Sequence, residues 1–348
     1  MVLNLVWNEG EFHQQKFSPE YRSRNQSPIP YDPKAHHSLF NEAFLTRLPA
    51  YDVAVLKKYF GQCLLGRNLT QTILLLDGVA DSSKTTLARV ICALIGQDNC
   101  AELRTAHLDE RFEASAFIAK TMLMAPDVRA NFLSLYGATI LKRLVGTDLM
   151  SAEFKRSNRR VPFEGIYNVI ITSNSRLRAK LEGDADAWRR RLLIVRFEKP
   201  RTGERIIDFH LVIIEREGPG VLNFAIEGAA QLMAEVKQVG AIQMSPEQKA
   251  RVNKFIDESD SLRNFVRDHL CATSNSAYDV TVHEVLERYY AHCVANDLNS
   301  LSAKDARKDL EQIMHELFGR SQSNSLKRDA KSQRGYLKMK WWEHDDEQ

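Results

Sequence analysis

The sequence predicts an α/β protein with a mainly parallel sheet, preceded by a helical lead-in and followed by a helical region and a winged-helix-like module. The first observation behind this prediction is a set of short, continuous apolar runs bounded by polar residues. The second is the helical periodicity between the runs, clearest over 84–95 and 128–145. Strands that are apolar on both faces and alternate with helices are typical of parallel sheets covered by helices. The runs lie at 73–76, 121–124, 167–171 and 192–195.

The residues before the first run predict two kinds of structure. Residues 1–36 contain clusters of Ser, Pro, Asn and Arg without clear periodicity, which predicts an extended or loop-rich segment. Apolar residues then recur at helical spacing over 40–65. We therefore interpret 1–65 as a lead-in to a core that spans 66–200.

The residues after the core are mainly helical. Residues 201–272 contain two stretches with helical periodicity, at 220–239 and 245–270. The cluster Thr-Ser-Asn-Ser at 273–276 predicts a boundary. Beyond it, 273–348 combines a β-like start, two helices and a basic β-like end, which is typical of a winged-helix DNA-binding module.

The composition limits the class of protein. The 348 residues suffice for two or three folded units, and 44% hydrophobic with 27% charged residues is ordinary for a globular protein. There is no apolar run of about 18 residues that would span a membrane, and residues 1–10 carry no secretory signal pattern. Five cysteines without a CxxC pair argue against a disulfide scaffold and a zinc ribbon. We therefore expect a cytoplasmic protein with no membrane partner.

The clearest chemistry lies in the loop GVADSSKT, between the first apolar run and the helix predicted over 84–95. A phosphate-binding loop needs inward-pointing backbone N–H groups, a lysine for the β- and γ-phosphates and a hydroxyl for Mg²⁺. Gly78, Lys84 and Thr85 match, whereas Ser83 replaces the second glycine and Asp81 adds a negative charge. The residues predicted to contact the nucleotide are Gly78, Asp81, Ser82, Ser83, Lys84, Thr85 and Thr86.

Polar residues follow two further apolar runs. Asp127 comes after the run at 121–124, where a carboxylate would hold the Mg²⁺ of a nucleotide, but taken alone it is better explained as the cap of the helix that follows. Thr172, Ser173 and Asn174 end the next run, where they would orient an attacking water or form a turn. For this trio the residues alone leave both choices open.

Cations cluster locally although the formal net charge is only +3. Residues 149–163 alternate weakly around a basic middle and predict a β-hairpin whose tip carries Lys155, Arg156 and Arg159. Such a tip would contact a nucleic-acid backbone or would simply be solvated. Trp188, beside a run of three arginines, would stack on a base or pack in the core.

The order of these segments resembles that of superfamily 3 helicases, and more narrowly the C-terminal helicase part of the phage/plasmid primase–helicase family, which includes poxvirus-type members. The resemblance covers roughly residues 20–270 and implies a P-loop, AAA+-like ATPase domain that uses ATP and Mg²⁺. The segments that carry it are LLLDGVADSSKTTL, AKTMLMAPDVRANF, LKRLVGTDLMSAEFKRSNRRVPFEG, YNVIITSNSRLR, DAWRRRLLIVRFEKP, PGVLNFAIEGAAQL and DESDSLRNFV.

The resemblance also implies roles at the nucleotide. Lys84 would contact the β- and γ-phosphates, and Thr85 and Asp127 would hold Mg²⁺. Asn174 would be the polar sensor of the γ-phosphate. Where the family often has a second acidic or polar residue, this sequence has Pro126.

Further roles implied by the resemblance concern DNA and a neighbouring subunit. Lys155, with Arg156 and Arg159 beside it, would contact single-stranded DNA in the channel of a ring, which in such helicases is a hexamer. Arg190, or alternatively Arg191, would be an arginine finger inserted into the neighbour's nucleotide site.

The function expected from the sequence is therefore an ATP-dependent DNA helicase of mobile-element replication that acts on single-stranded and forked DNA. The chain begins too late to hold a primase domain, so we expect a separate primase or polymerase partner or the remnant of a longer gene. Ser83 and Asp81 would weaken nucleotide binding, which makes an ATPase-impaired DNA-binding origin or assembly factor the main alternative. A P-loop ATPase that remodels proteins is a second alternative, which the basic hairpin and the winged-helix-like end disfavour.

Overall fold

The structure is a computed structural model that describes residues 3–8, 11–16, 18, 20, 26–128, 131–133, 135–157, 159–174, 178–179, 185–201, 203–296, 298, 300–328 and 331–342. The chain divides into two compact units, Met1–Asn253 and Lys254–Gln348. Within the described ranges, no helix has both the length and the apolarity needed to cross a bilayer.

The first unit combines a parallel sheet with flanking helices. Its strands are β1 (Leu3–Asn8), β2 (Glu11–Lys16), β3 (Ile73–Gly78), β4 (Cys100–Glu102), β5 (Met122–Ala125), β6 (Asn131–Leu133), β7 (Leu149–Glu153), β8 (Arg160–Glu164), β9 (Asn168–Thr172), β10 (Arg178–Ala179) and β11 (Leu192–Phe197). Its helices are α1 (Ser38–Phe44), α2 (Ala50–Leu65), α3 (Lys84–Ile95), α4 (Leu135–Val145), α5 (Ala185–Arg191), α6 (Phe209–Val239) and the greater part of α7 (Pro246–Ser259).

Five strands form the central sheet in the order β11-β3-β9-β5-β4, and every neighbouring pair is parallel. All five residues of β9 and the first five of β3 are buried. This explains why the two strands read as continuous apolar runs, because a strand covered on both faces has no solvated side. The predicted α/β class, its mainly parallel sheet and the four predicted strands are confirmed.

Helices α2 and α6 pack backbone against backbone beside the sheet. A Cβ on Gly61 would lie 2.1 Å from the backbone nitrogen of Ala229, and one on Gly228 would lie 1.8 Å from the carbonyl oxygen of Lys57. Only glycine allows this approach, since a side chain at either position would clash with the facing backbone. Aromatic side chains fill the adjoining core, where Phe40, Phe60 and Phe224 are in edge-on or tilted contact.

Two segments differ from the sequence prediction. Residues 1–36 were expected to be extended or loop-rich, and within them β1 and β2 form an antiparallel pair, from Leu3↔Lys16 to Asn8↔Glu11, that was not predicted. The helix expected over 128–145 begins only at Leu135, because β6 precedes it and pairs with β10. In both places a strand partner decides the backbone conformation, and helical periodicity carries no information about that partner.

The predicted hairpin over 149–163 is present. Strands β7 and β8 pair antiparallel from Leu149↔Glu164 to Glu153↔Arg160. Arg156 adopts a left-handed conformation with φ of 59°, and the N–H of Ser157 donates to the carbonyl of Phe154 at 3.3 Å. This turn sets Lys155 and its neighbours at the tip.

The second unit has its own core and its own sheet. Its elements in chain order are α8 (Ser261–His269), β12 (Leu270–Ala272), β13 (Asp279–Thr281), α9 (Val282–Ala295), α10 (Ala303–Phe318), β14 (Ser323–Arg328), β15 (Lys331–Leu337) and β16 (Met339–Trp341). Strands β13, β15 and β14 form an antiparallel sheet in that order. Buried side chains from α8, α9, α10 and β15 fill the core, among them Phe265, Tyr289, Leu310 and Tyr336.

Candidate functional site

The loop between β3 and α3 turns sharply at its first residue. Gly78 has φ of +127°, and a Cβ there would lie 2.1 Å from the carbonyl oxygen of Phe197 in the neighbouring strand β11. The N–H of Val79 donates to the same carbonyl at 3.0 Å. Gly78 is thus required both by its backbone conformation and by the close approach of β11. The strand pair β3–β11 fixes where the loop starts.

The ammonium of Lys84 lies inside this loop. Its Nζ donates to the carbonyls of Gly78 at 3.2 Å and Val79 at 2.6 Å and to Oγ of Ser82 at 2.9 Å. The side chain is buried, with 3% of its surface exposed. Burial lowers the pKa of Lys84, and the charges of Asp127 and Asp77 act in the opposite direction. A cation is therefore held where backbone groups surround it, at the N-terminus of α3.

Two loop residues adopt the left-handed conformation, Asp81 with φ of 54° and Ser83 with φ of 72°. Ser83 occupies the position where the sequence departs from the glycine pattern, and its left-handed conformation is one that glycine adopts at no steric cost. The charge on Asp81 is paired, since Nε of Arg201 donates to its Oδ1 at 2.9 Å and the backbone N–H of Arg201 donates to its carbonyl at 2.8 Å. The acidic side chain thus points to Arg201, and the loop is tied to the segment after β11.

A chain of polar side chains crosses the carboxyl ends of three strands. The hydroxyls of Thr85 and Thr172 are 3.2 Å apart, and Oγ1 of Thr172 accepts from the N–H of Asp127 at 3.0 Å. Nδ2 of Asn174 donates to Oδ1 of Asp127 at 3.1 Å. The structure therefore brings together three residues that lie far apart in the sequence: Thr85, Asp127 and Asn174.

The alternatives left open for the strand ends are decided in part by this geometry. Asp127 has φ of 48° and lies well before the start of α4, so its role as a helix cap is wrong. Of the polar trio after β9, Thr172 and Ser173 are buried and bond to backbone: Ser173 donates its Oγ to the carbonyl of Val128 at 3.0 Å. Asn174 is exposed and is the member of the trio available to a ligand.

The residues at this edge suit a magnesium–nucleotide pair better than a metal held by protein alone. Among the described residues there is no group of three His, Cys, Asp or Glu side chains that could hold a metal ion. Thr85 and Asp127 offer one hydroxyl and one carboxylate, and Mg²⁺ is commonly bound by one or two such ligands together with phosphate oxygens and waters. The donor set therefore fits Mg²⁺ that arrives with a phosphate ligand.

The predicted DNA-contacting cations are exposed at the hairpin tip. Lys155, Arg156 and Arg159 are all exposed, and the ammonium of Lys155 lies 5.9 Å from the ring centroid of Phe112. Arg160, by contrast, pairs with Glu153 at 2.6 Å. The arginine at the base of the hairpin is thus paired, whereas the three cations at its tip are exposed.

The two candidate arginine fingers differ in exposure. Arg190 is exposed, and within the described part of the chain it has no ion-pair or hydrogen-bond partner. Arg191 is buried at 9% exposure, and its Nη1 donates to the carbonyl of Ala187 at 3.1 Å. Trp188 is 1% exposed. Of the two roles considered for it, packing in the core is therefore confirmed and stacking on a base is excluded.

Sequence reasoning missed two arginines that organise the site, and it named Thr172 without foreseeing its contacts. Thr172 joins Thr85 to Asp127, and Arg201 neutralises Asp81. Arg196 binds Asp77 through two hydrogen bonds of 3.1 and 2.7 Å across β11 and β3. The strand pairing that creates these contacts joins residues 45 to 120 positions apart, so no local pattern signals them.

Comparison with known proteins gives limited similarity. Residues 76–191 match the model of a family of unknown function (DUF5906), which covers a minority of the chain. Curated protein sequences contain no match. Among solved structures, an A-form apo structure of the NrS-1 C-terminal region has a TM-score of 0.50 at 12% identity, over 89% of this chain and 77% of that one. Another apo structure of the same region has a TM-score of 0.49 at 13% identity over the same shares. At such identities the likeness concerns the fold alone.

Proposed function

We propose that this protein is an ATP-dependent DNA helicase of superfamily 3 type that acts in the replication of a mobile element such as a phage or plasmid. The observation that carries the proposal is the convergence of Lys84, Thr85, Asp127 and Asn174 at the carboxyl edge of the parallel sheet. Ligands of open α/β sheets bind at this edge. The strand order β11-β3-β9-β5-β4, with the phosphate loop after β3 between β11 and β9, supports a P-loop, AAA+-like ATPase.

The chemistry proposed for this edge is phosphoryl transfer to water. Backbone N–H groups of the loop and the N-terminus of α3 attract the phosphates, and Lys84 exchanges its carbonyl partners for phosphate oxygens. Thr85 and Asp127 would hold Mg²⁺, which would neutralise charge at the phosphates when bound. Asn174, already hydrogen-bonded to Asp127, would orient a water near the terminal phosphate. Thr172 contacts both the hydroxyl of Thr85 and the backbone N–H of Asp127.

The proposal includes assembly into a ring, in which a neighbouring copy supplies an arginine to this site. An arginine finger near the terminal phosphate contributes about 10³–10⁵ in rate. Among the described arginines near the loop, Arg196 and Arg201 are engaged with Asp77 and Asp81, and Arg47 donates to the carbonyls of Ala43 and Ser82. Arg190 is exposed and therefore suited to complete the site of a neighbouring copy, as in a hexamer. The Lys155 hairpin would then contact single-stranded DNA in the channel.

The second unit supports a winged-helix module. Its elements follow the order α8-β12-β13-α9-α10-β14-β15, and β13, β15 and β14 form one antiparallel sheet, which supports this assignment. The proposal assigns α10 the place of the recognition helix and the β14–β15 hairpin the place of the wing.

An unwinding assay on a forked duplex tests the proposed function. Wild-type protein should displace the labelled strand when ATP and Mg²⁺ are present, and Lys84→Ala should not, since it removes the cation of the phosphate loop. Lys249→Ala, which removes an exposed lysine of α7, is the matched control and should unwind like the wild type. ATP-independent displacement, or full activity of Lys84→Ala, would overturn the proposal.

A second candidate function is an ATPase-impaired DNA-binding origin or assembly factor. The left-handed Ser83 favours it, because a serine at φ of 72° costs energy and places a Cβ beside the phosphate position. Ser83→Gly distinguishes the two. A functional motor should gain at most a few-fold in ATP affinity, whereas an impaired one should bind and hydrolyse ATP only after the substitution. Isothermal titration with ATP and Mg²⁺, together with phosphate release, measures both.

A further inference from the structure

A cleft of about 900 Å³ opens on the second unit between α9, α10 and strand β15. Four exposed cations line it, three on α10 and one on β15: Lys304, Arg307, Lys308 and Arg334. Two carboxylates, Glu287 and Glu311, also face it, together with His283, so the cations exceed the anions by two. Gln322 and Gln333 add amides that donate and accept hydrogen bonds, and Tyr290 adds a hydroxyl.

The cations on α10 are arranged on one exposed face of a stable helix. Lys304, Arg307, Lys308 and Glu311 follow the spacing i, i+3, i+4 and i+7, which places them side by side. The opposite face is buried through Ala306, Leu310, Ile313 and Met314, so the helix is held firmly by the core. The hydroxyl of Ser302 accepts from the N–H of Asp305 at 3.2 Å and caps the helix start.

Within the described residues, Lys304, Arg307, Lys308 and Arg334 form no ion pair, although Glu287 and Glu311 line the same cleft. Elsewhere in the same unit, the half-buried Arg263 pairs with Glu316, and the exposed Arg267 pairs with Asp268 at 2.8 Å. Unpaired positive charge on a rigid helix beside a hairpin is the pattern of a surface that binds a polyanion.

We propose that this surface binds double-stranded DNA, with α10 in the major groove and one sugar-phosphate strand in the cleft between α10 and β15. An α-helix fits the major groove, which is about 12 Å wide, and does not fit the minor groove. Lys304, Lys308 and Arg334 contact phosphates, while Arg307 and Glu311 reach base edges, since arginine reads guanine and glutamate accepts from the cytosine amino group. The assignment rests on the proposed winged-helix topology and requires no ATP hydrolysis.

The consequence is a second DNA site, distinct in chemistry from the hairpin of the first unit. The hairpin offers cations on a narrow turn and is assigned to single-stranded DNA, whereas α10 offers a straight helical face assigned to duplex. Binding to the second site needs neither ATP nor the Lys155 hairpin, so a protein without any ATPase activity would still show it. Failure of the motor and failure of this site are therefore distinguishable.

Fluorescence anisotropy of the full chain without nucleotide, on a labelled 25-base-pair duplex and on a single strand of the same length, tests the proposal. Lys304→Ala with Lys308→Ala should weaken duplex binding about tenfold and reduce the slope of log affinity against log salt by about 2, because two phosphate contacts are lost. Alanine suits a helix interior, so α10 should stay folded, which circular dichroism checks.

The matched control removes two exposed lysines from helices of the first unit, Lys237→Ala with Lys249→Ala, and should leave duplex affinity unchanged. Arg307→Ala should weaken binding to one preferred sequence more than to others, which selection from a random duplex pool measures. Equal loss in both double variants would contradict the proposal, because only total charge would then matter. Loss confined to single-stranded DNA, or no duplex binding by the wild type, would also overturn it.

Discussion

The carboxyl edge of the sheet, which we propose as the nucleotide site and call the nucleotide edge, and the tip of the β7–β8 hairpin both carry cations, but they hold them in opposite ways. At the edge, Lys84 is surrounded by loop carbonyls and Arg201 is paired with Asp81. At the tip, Lys155 and Arg159 are exposed, and Arg190 on α5 is exposed as well. Cations with internal partners keep a site in shape before its ligand arrives. Cations without them have charge to offer to another molecule, a DNA strand or a neighbouring subunit.

The largest expected effect separates two adjacent arginines. Arg190→Ala should lower DNA-stimulated ATP turnover about 10³-fold while leaving the unfolding midpoint unchanged, because the side chain is exposed and serves a neighbour's site. Arg191→Ala should instead destabilise the fold by about 1–3 kcal/mol, since it removes a buried side chain bonded to Ala187. Phosphate release and urea denaturation measure the two outcomes.

Mixing defective subunits sharpens the assignment of Arg190. Lys84→Ala keeps an intact finger and Arg190→Ala keeps an intact loop, so mixed rings should contain some complete sites and regain part of the turnover. Mixtures that stay as inactive as the separate variants would contradict a finger acting between subunits.

The next largest effect concerns the start of the phosphate loop. Gly78→Ala should cost about 3 kcal/mol in the free energy of unfolding, because its Cβ would lie 2.1 Å from the Phe197 carbonyl in addition to the strain of a positive φ. Gly203→Ala is the control: it shares a positive φ of 82° but has nothing within 4 Å, so it should cost about 1 kcal/mol. Equal costs in urea denaturation would show that the strand contact is unimportant.

Removing cations from the hairpin tip should have an intermediate effect. Lys155→Ala with Arg159→Ala should weaken single-stranded DNA binding about tenfold and reduce the slope of log affinity against log salt by about 1.4, since each contact with a single strand contributes about 0.7. ATP affinity should not change, because the nucleotide edge lies on other strands. If the variant keeps its DNA affinity and salt slope, the tip is a solvated turn that does not contact DNA.

The smallest expected effect is a dependence of ATP affinity on pH. Burial lowers the pKa of Lys84 below its ordinary value of 10.5, so the ammonium loses its proton at a lower pH than an exposed lysine does. ATP affinity should therefore fall severalfold in the alkaline range below pH 10.5. Lys84→Arg stays charged and should show no such step in calorimetric titrations from about pH 7.5 to about pH 10. A flat wild-type profile would contradict the placement of Lys84.

The fold class was open to prediction because buried parallel strands leave continuous apolar runs, as β3 and β9 do. Strands β4, β6 and β10 could not be predicted, since each has only two or three residues and depends on a distant partner. The β1–β2 hairpin did leave a signal, the alternation in LNLVWN, which the surrounding polar clusters obscured.

The candidate site likewise contains residues that could be predicted from the sequence and contacts that could not. Residues within the loop GVADSSKT were recognisable because their spacing is local. The pairings of Asp81 with Arg201 and of Asp77 with Arg196 depend on β3 and β11 lying side by side, 119 or 120 residues apart in sequence. Ser83 and Asp81 alone predicted a damaged loop. The structure shows that Arg201 neutralises Asp81, which leaves the left-handed Ser83 as the one departure to be tested.

The central claim is that the nucleotide edge drives movement on single-stranded DNA, and steady-state ATPase activity tests it most directly. The account predicts that purified protein hydrolyses ATP, that single-stranded DNA stimulates this turnover, and that both Lys84→Ala and Arg190→Ala abolish it. Absence of turnover in the wild type, while salt-sensitive DNA binding persists, would contradict the account and identify a DNA-binding protein built on a disabled motor.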